Sequence, residues 1–328
     1  MRRWLRRHPI AVSALATAIA AAGAILIAEL TGADAVGRAF EHIVPGWILL
    51  IAVAEAITYP AYALAYRSVA GVHGHAPITL PLATRVVAAG FGPFHVAGGF
   101  GVDKQALHAL HEDERSARVR VLGLGVLEWA LLAPTTCIVA IVFLVQGEDV
   151  MGSLLWPWAI GVPVGFALAL WASAPGRRER LAHIGGRRRA WLADLLDGIG
   201  VLHTLLSQPV KHWGAWVGTA LYWVADIGAF YAALRTFGLH LDAGRVIIAY
   251  GTGYAATRRS LPLGGAGVTE VLMTYALYWV GAPLAPALAA VVTYRAFNFL
   301  LAAMPALLAH RHVEPLMETA DELRDRAA

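Results

Sequence analysis

The sequence predicts an all-α, polytopic membrane protein with about six full transmembrane spans and two opposed re-entrant helical hairpins. Three observations support this fold class: the composition, a series of long apolar runs, and arginines placed at the ends of those runs. Of the 328 residues, 58% are hydrophobic and only 15% are charged, whereas soluble domains have roughly 45–50% apolar and about 25% charged residues. This apolar excess is too large for one aqueous core and is typical of several spans.

Six apolar runs are long enough to cross a bilayer. A helix rises 1.5 Å per residue, so about 20 residues cover a hydrocarbon core of about 30 Å. The first run follows an arginine cluster and is longer than the roughly 7–15 apolar residues of a signal peptide, so we expect an uncleaved first span. The six predicted spans are 9–30, 45–69, 119–146, 154–174, 213–237 and 284–309.

Two further apolar regions are interrupted by Gly and Pro. The first consists of limbs 78–91 and 98–110, and the second of limbs 244–258 and 268–281. Limbs of about 13–15 residues reach only about 20 Å, which is too short for a span. We therefore expect each pair of limbs to form a hairpin that enters and leaves the membrane by one face.

Loop charges predict the orientation. Arginines cluster at 2–7, 115–120 and 177–189, whereas the loops 32–44 and 146–153 are poor in basic residues. The positive-inside rule places all three basic clusters in the cytoplasm if both interrupted regions are re-entrant. We therefore expect a multi-pass protein of the cell membrane with both termini in the cytoplasm.

The order span, span, hairpin, span occurs twice, with opposite orientations. Residues 98–102 (GGFGV) in the first hairpin match residues 264–268 (GGAGV) in the second. Together with the topology, this match predicts an inverted repeat, an arrangement that many transporters share. We expect a single transmembrane domain over residues 1–310, with halves of about 1–150 and 151–310.

Two polar segments complete the predicted architecture. The segment 190–212 has leucines at helical spacing after a run of arginines, which predicts an amphipathic helix at the membrane interface. A helix docked on the protein is the alternative. The tail 311–328 is polar and of mixed charge, and we expect a short cytoplasmic helix with no fold of its own.

The break in the second hairpin is the strongest candidate site. Glycines let a ligand approach the backbone, proline interrupts the helix, and the half-helix that follows presents free N–H groups suited to an anion such as a phosphate. An early glutamate can cap those N–H groups or pair with an arginine. The alternative is that the glycines only permit close helix packing and that the arginines extend to an interface. The candidate residues are Arg258, Arg259, Pro262, Gly264, Gly265, Gly267 and Glu270.

The first hairpin and the middle of four spans supply the other candidates. The first hairpin carries Arg85, Gly98, Gly99 and Gly101, together with Asp103 and Lys104, which alternatively lie among cytoplasmic head groups. Charged residues inside a membrane are costly, so they are functional candidates by default. These are Glu55, Glu128, Asp226 and Arg295. Glu128 and Arg295 lie on equivalent spans of the two halves, so we predict that they pair; a purely structural pair is the alternative.

The stretch from Pro262 to Gly281 resembles the signature of the lysylphosphatidylglycerol synthase transmembrane, or flippase-like, family. The matching residues are Pro262, Gly264, Gly265, Gly267, Val268, Glu270 and Gly281, with Arg295 further on. Thr269 stands where the family often has arginine, so Arg258 or Arg259 is expected to supply that charge. The resemblance implies translocation of polar-headed lipids between leaflets. Members that synthesise an aminoacylated lipid carry a soluble synthase domain, which we do not expect in a chain that ends at Ala328.

These observations predict a membrane flippase or transporter for a polar-headed, phosphate-bearing lipid. Two alternatives remain: an intramembrane enzyme acting on a lipid-linked substrate, and a non-transporting partner subunit. The sequence shows none of the usual nucleotide-binding or hydrolase motifs, and the histidines at 108 and 111 fit a solvated face better than a metal site. We expect no catalytic residues, cofactor, metal or nucleic acid. The expected partners are membrane lipids, with a homo-oligomer or a separate lipid-modifying enzyme left open.

Overall fold

The computed structural model describes residues 9–41, 43–72, 78–91, 99–110, 113–174, 177, 187–253 and 265–327. All regular elements among these residues are helical. The helices are α1 Pro9–Thr31, α2 Ala33–Glu41, α3 Gly46–Ala70, α4 Leu80–Phe91, α5 Gly99–Ala109, α6 Glu114–Gln146, α7 Gly152–Ala172, α8 Arg187–Ser207, α9 Trp213–Thr236, α10 Ala243–Gly253, α11 Val268–Trp279, α12 Leu284–Arg295 and α13 Ala303–Ala327, with a π-helical segment, Ala296–Leu301, between the last two.

Six helices in the described part of the chain are long and apolar enough to cross a membrane: α1, α3, α6, α7, α9 and the continuous unit Leu284–Leu323 formed by α12 and α13. They coincide with the six predicted spans, so the prediction of a polytopic, all-α membrane protein is confirmed. The predicted hairpin limbs are short helices of 11 or 12 residues, α4, α5, α10 and α11. At about 16–18 Å they are too short to span. The inverted repeat stays a prediction.

Helices α3 and α9 form the centre of the bundle, where small residues bring their backbones together. A Cβ atom on Gly218 would lie 2.6 Å from the carbonyl oxygen of Ala61 and 2.6 Å from the amide of Ala65. One turn earlier, a Cβ atom on Gly214 would lie 2.5 Å from the Ser68 hydroxyl. Small residues spaced four apart on both helices are a common means of close packing in membranes.

Helix α8 packs along the N-terminal part of α6, which supports the docked-helix alternative for this segment. Leu196, Val201 and Leu205 on α8 are buried. At one end, Asp194 receives hydrogen bonds from Arg115 Nε at 3.0 Å and from Arg118 Nη1 at 2.8 Å. The leucine spacing that predicted an amphipathic helix therefore serves at least in part to cover another helix.

The C-terminal segment, predicted as a short helix with no fold of its own, is helical and is part of the last span. Residues 311–327 continue α13 without a break. Val313 and Met317 are buried in the main core, and α13 packs against α4 and α5 of the first hairpin. This contact was not predicted from the sequence, because Val313 and Met317 are isolated apolar residues in a charged segment. Their spacing of four positions places them on one face only when the segment is helical.

Candidate functional site

The start of α11, in the second hairpin, holds the best-defined polar site. Gly265 and Gly267 precede the helix with φ angles of +72° and +81°, a conformation that favours glycine. The turn brings the backbone N–H of Gly267 to within 2.7 Å of Glu270 Oε2, to which it donates a hydrogen bond. Glu270 therefore caps its own helix, as its place in the first turn predicted.

The second carboxylate oxygen of Glu270 binds an arginine from another helix. Arg295 Nε donates to Glu270 Oε1 at 2.7 Å, and Arg295 Nη1 donates to Asn298 Oδ1 at 3.2 Å. The guanidinium carbon lies 4.5 Å from the centre of the Phe299 ring. Because Glu270 and Arg295 are only 2% and 4% exposed, this is a buried ion pair within the bundle. Both roles predicted for Glu270, capping and pairing, occur together.

A π-helical segment begins directly after Arg295. Ala296–Leu301 has this wider winding, and it contains both Asn298 and Phe299, which contact the guanidinium. Such segments are rare inside α-helices and occur frequently at functional sites. The local winding here places an amide on one edge of the arginine and an aromatic ring on its face.

Asp226, in the middle of α9, accepts hydrogen bonds from two tyrosine hydroxyl groups. Tyr250 donates to Oδ2 at 2.6 Å and Tyr294 donates to Oδ1 at 2.8 Å. The aspartate is fully buried. Tyr294 immediately precedes Arg295, so two consecutive residues of α12 bind two different carboxylates, one on α9 and one on α11. This ties the second hairpin to the central helices.

Glu128 on α6 occupies a similar environment. Its side chain accepts a hydrogen bond from the Tyr62 hydroxyl of α3, and its backbone carbonyl accepts one from Trp223 Nε1 of α9 at 3.1 Å. The structure thus gives Arg295 a different carboxylate partner, Glu270, and the pairing of Glu128 with Arg295 stays a prediction. The tyrosine partners were missed, because a tyrosine in an apolar span carries no signal that distinguishes a ligand from a core residue.

The remaining sequence candidates divide into three groups. Glu55 is buried on α3, whereas Arg85 lies on the exposed face of α4. Gly99 is buried at the start of α5, and Gly101, the third residue of that helix, lines an apolar cavity between α5, α6, α7 and α8, here called the lateral cavity. Arg258, Arg259, Pro262, Gly264 and Gly98 lie outside the described residues.

The family model of the lysylphosphatidylglycerol synthase transmembrane region matches residues 13–306. The chain belongs to this family. The match begins in α1, ends in α13 and includes both hairpins and the Glu270–Arg295 pair, so the resemblance carried by the Pro262–Gly281 stretch is confirmed. Membership in the lysylphosphatidylglycerol synthase transmembrane family indicates a multi-pass membrane protein with a function related to membrane lipids. Among curated proteins, none matches the chain significantly.

Proposed function

We propose that this protein is a lipid transporter that moves a polar-headed, phosphate-bearing lipid between the two leaflets of the membrane. The observation that carries the proposal is the buried Glu270–Arg295 pair, held at the broken end of a hairpin helix inside a bundle of apolar spans. Charges at such a depth are rare and mark substrate pathways more often than packing. Membership in the family supports a lipid as the substrate, and the site contains groups that can bind the head group of a lipid.

Arg295 is the group best suited to bind a phosphate. A guanidinium binds carboxylate and phosphate with the same two-pronged geometry, so a phosphate can take the place of the Glu270 carboxylate. The positive end of α11 lies beside the same carboxylate and favours an anion there. Glu270 is then the partner of Arg295 in the empty protein, and the head group replaces it during transport.

An exchange of partners avoids one of the two costs of breaking the pair. Leaving one member of a buried ion pair without a partner costs roughly 3–5 kcal/mol. If the phosphate approaches as Glu270 leaves, Arg295 is neutralised throughout, whereas Glu270 loses its cation and keeps only the hydrogen bond from Gly267, so binding of the head group must offset that loss. The acyl chains remain in the hydrocarbon phase while the head group passes the site.

The proposal includes the predicted orientation, in which the arginine clusters and both termini are cytoplasmic. It also keeps Arg258 and Arg259 as candidate head-group ligands on the grounds of their place in the sequence, just before the Pro262 break. In this orientation α11 begins at depth and α10 leads to the break from the outer face.

The test is lipid transport in liposomes that contain the purified protein. A fluorescent phosphatidylglycerol in the inner leaflet becomes accessible to an external quencher only when it is moved outward. Arg295→Lys retains the positive charge but loses the two-pronged geometry, so we expect the transport rate to fall about tenfold or more. Glu270→Gln removes the resting partner and should also slow transport.

Arg245→Lys is the matched control, because Arg245 pairs with Glu148 at 3.3 Å in a partly exposed position. Its transport rate should remain close to that of the unmodified protein. Melting and expression of each variant are measured in parallel. If Arg295→Lys and Glu270→Gln both fold and both move the probe at the normal rate, the proposed site is wrong.

A further inference from the structure

The lateral cavity lies apart from the Glu270–Arg295 pair and has a volume of about 620 Å³. This is within the roughly 300–1,000 Å³ range of small-molecule sites. Its walls are almost entirely apolar, and they include Val126 and Trp129 of α6 and Val162 and Phe166 of α7. Lys104 and Arg118 are the charged residues among those that line it.

The cavity exists because α6 and α7 diverge. From the middle of α6 toward its C-terminal end the two helices are in contact: Trp129 stacks on Trp158 of α7 with 6.3 Å between ring centres, and Cys137 Sγ lies 3.9 Å from the carbonyl oxygen of Ala159. Toward the N-terminal end of α6 they leave open space. A Cβ atom built on Gly161 or Gly165 of α7 would meet nothing within 4 Å, although both glycines line the cavity.

The cavity is longer than the hydrocarbon part of one leaflet. Its lining residues on α6 run from Arg118 to Ala133, and fifteen residues of helix rise about 22 Å. One leaflet contributes about half of a hydrocarbon core that is roughly 30 Å thick. The slot therefore extends from the N-terminal end of α6 past the middle of the membrane, deep enough for a full acyl chain.

The basic residues stand at the end of the slot where a head group would lie. Arg118 is the first cavity residue along α6, and its side chain is 41% exposed, whereas that of its partner Asp194 is only 5% exposed. Lys104 binds Glu114 at 3.0 Å and is likewise partly exposed. Asp194 lies beneath the Arg118 guanidinium, whereas Glu114 is partly exposed and pairs with both Lys104 and Arg118. A phosphate therefore binds these two cations by taking the place of the Glu114 carboxylate.

A polar cavity adjoins this end. Leu170 of α7 lines both the lateral cavity and a second cavity of about 780 Å³, whose lining includes Arg115, Ser116, His203 and Thr204 together with the acids Asp113 and Asp197. The apolar lateral cavity thus adjoins the second, more polar cavity at Leu170. An amphiphile has an apolar chain and a polar head group, and the two cavities offer an environment for each.

We propose that the lateral cavity is a phospholipid site of the leaflet at the N-terminal end of α6. One acyl chain lies between α5, α6 and α7, and the phosphate lies against Arg118 and Lys104. This site is separate from the Glu270–Arg295 pair and does not require that the protein transport lipid. In the predicted orientation the lipid comes from the cytoplasmic leaflet.

The test uses a phosphatidylglycerol with a photoreactive group in its acyl chain, added to the protein in nanodiscs. Cross-linked residues are mapped by mass spectrometry. Labelling of Val126, Val162 and Phe166 should exceed labelling of Leu49, which lies on the exposed face of α3, by about tenfold. A diacylglycerol with the same photoreactive chain but no phosphate should label the cavity several times less, as should the phosphatidylglycerol probe on Arg118→Gln.

Two variants fill the slot without removing a charge. Gly161→Phe and Gly165→Phe each project a ring into open space, and each should remove most of the cavity labelling while leaving Leu49 labelled. Gly228→Phe is the matched control. Gly228 lines a different apolar cavity, on α9, whose lining contains no Lys or Arg, so this change should leave labelling of α7 unaltered.

Several results would overturn the proposal, and they are distinct from failure of transport at Arg295. Cavity labelling equal to that of Leu49 would mean ordinary annular lipid. Equal labelling by the diacylglycerol probe would mean that the basic end plays no part, and loss of label on adding millimolar inorganic phosphate would mean an anion site rather than a lipid site. Absence of label on α7, with cross-links to a second copy of the chain, would mean a protein interface.

Discussion

The two hairpins have contrasting surroundings. At the second hairpin, α1 covers the start of α11 so closely that a Cβ atom on Gly23 would lie 3.1 Å from Gly267 Cα. At the first hairpin, α7, the predicted counterpart of α1, stands away from α5 and leaves the lateral cavity between them. The tightly covered hairpin holds the buried ion pair and the open one presents an apolar wall. Polar groups at depth require protein around them, whereas apolar walls can face lipid.

The contrast extends to equivalent positions. When residues 98–102 are aligned with 264–268, Lys104 takes the place of Glu270. Glu270 binds a buried arginine from another span, but Lys104 binds Glu114 at the rim of the bundle. A repeat of the backbone pattern therefore does not repeat the electrostatics. Loss of a buried ion pair lowers the free energy of unfolding several times more than loss of a pair at the rim. The comparison can therefore be tested by unfolding measurements.

The largest effect on stability should come from breaking the buried pair. Arg295→Gln leaves the Glu270 carboxylate without its cation, and we expect the free energy of unfolding to fall by roughly 3–5 kcal/mol. Unfolding in detergent, followed by tryptophan fluorescence, measures this loss. The double variant Glu270→Gln, Arg295→Gln should lose less than the sum of the two single changes, because no lone charge remains. Strictly additive losses would show that the two residues are not energetically coupled.

A glycine comparison should give a smaller effect. Gly267→Ala puts a side chain on a residue with a φ of +81°, and its Cβ atom would lie 3.1 Å from Ile19 Cγ2 of α1. With a ψ of −50° this backbone conformation is sparsely populated by residues that have a side chain, which alone costs roughly 1–3 kcal/mol. Gly165→Ala, in open space on helix α7, should be neutral or stabilising by up to about 1 kcal/mol. The same unfolding measurement compares them, and equal effects would contradict the difference in covering between the two hairpins.

The sequence predicted the spans well because each consists of about 20 apolar residues, a signal that depends only on the lipid. It also predicted the role of Glu270, since a glutamate three residues after a glycine turn is a local pattern. Arg295 was recognised as a candidate, but its pairing with Glu270 depends on how α12 meets α11, which no local pattern encodes. The lateral cavity was missed for a related reason. Gly161 and Gly165 look like packing glycines, but among the described residues none lies within 4 Å of a Cβ atom built on either of them.

The smallest effect should come from the rim pair of the first hairpin. The side chains of Lys104 and Glu114 are 29% and 34% exposed, and ion pairs at this exposure contribute about 0–1 kcal/mol. Lys104→Gln should therefore change the free energy of unfolding by less than about 1 kcal/mol, with the difference vanishing in 1 M salt because screening then acts over about 3 Å. Arg245→Gln, which disrupts the rim pair with Glu148 beside α10, is the control and should behave alike. A loss of several kcal/mol that persists in high salt, for Lys104 but not for Arg245, would show that Lys104 acts as a buried charge equivalent to Glu270. Each hairpin would then depend on a buried charge, and the apolar cavity beside α5 would still distinguish the first hairpin from the second.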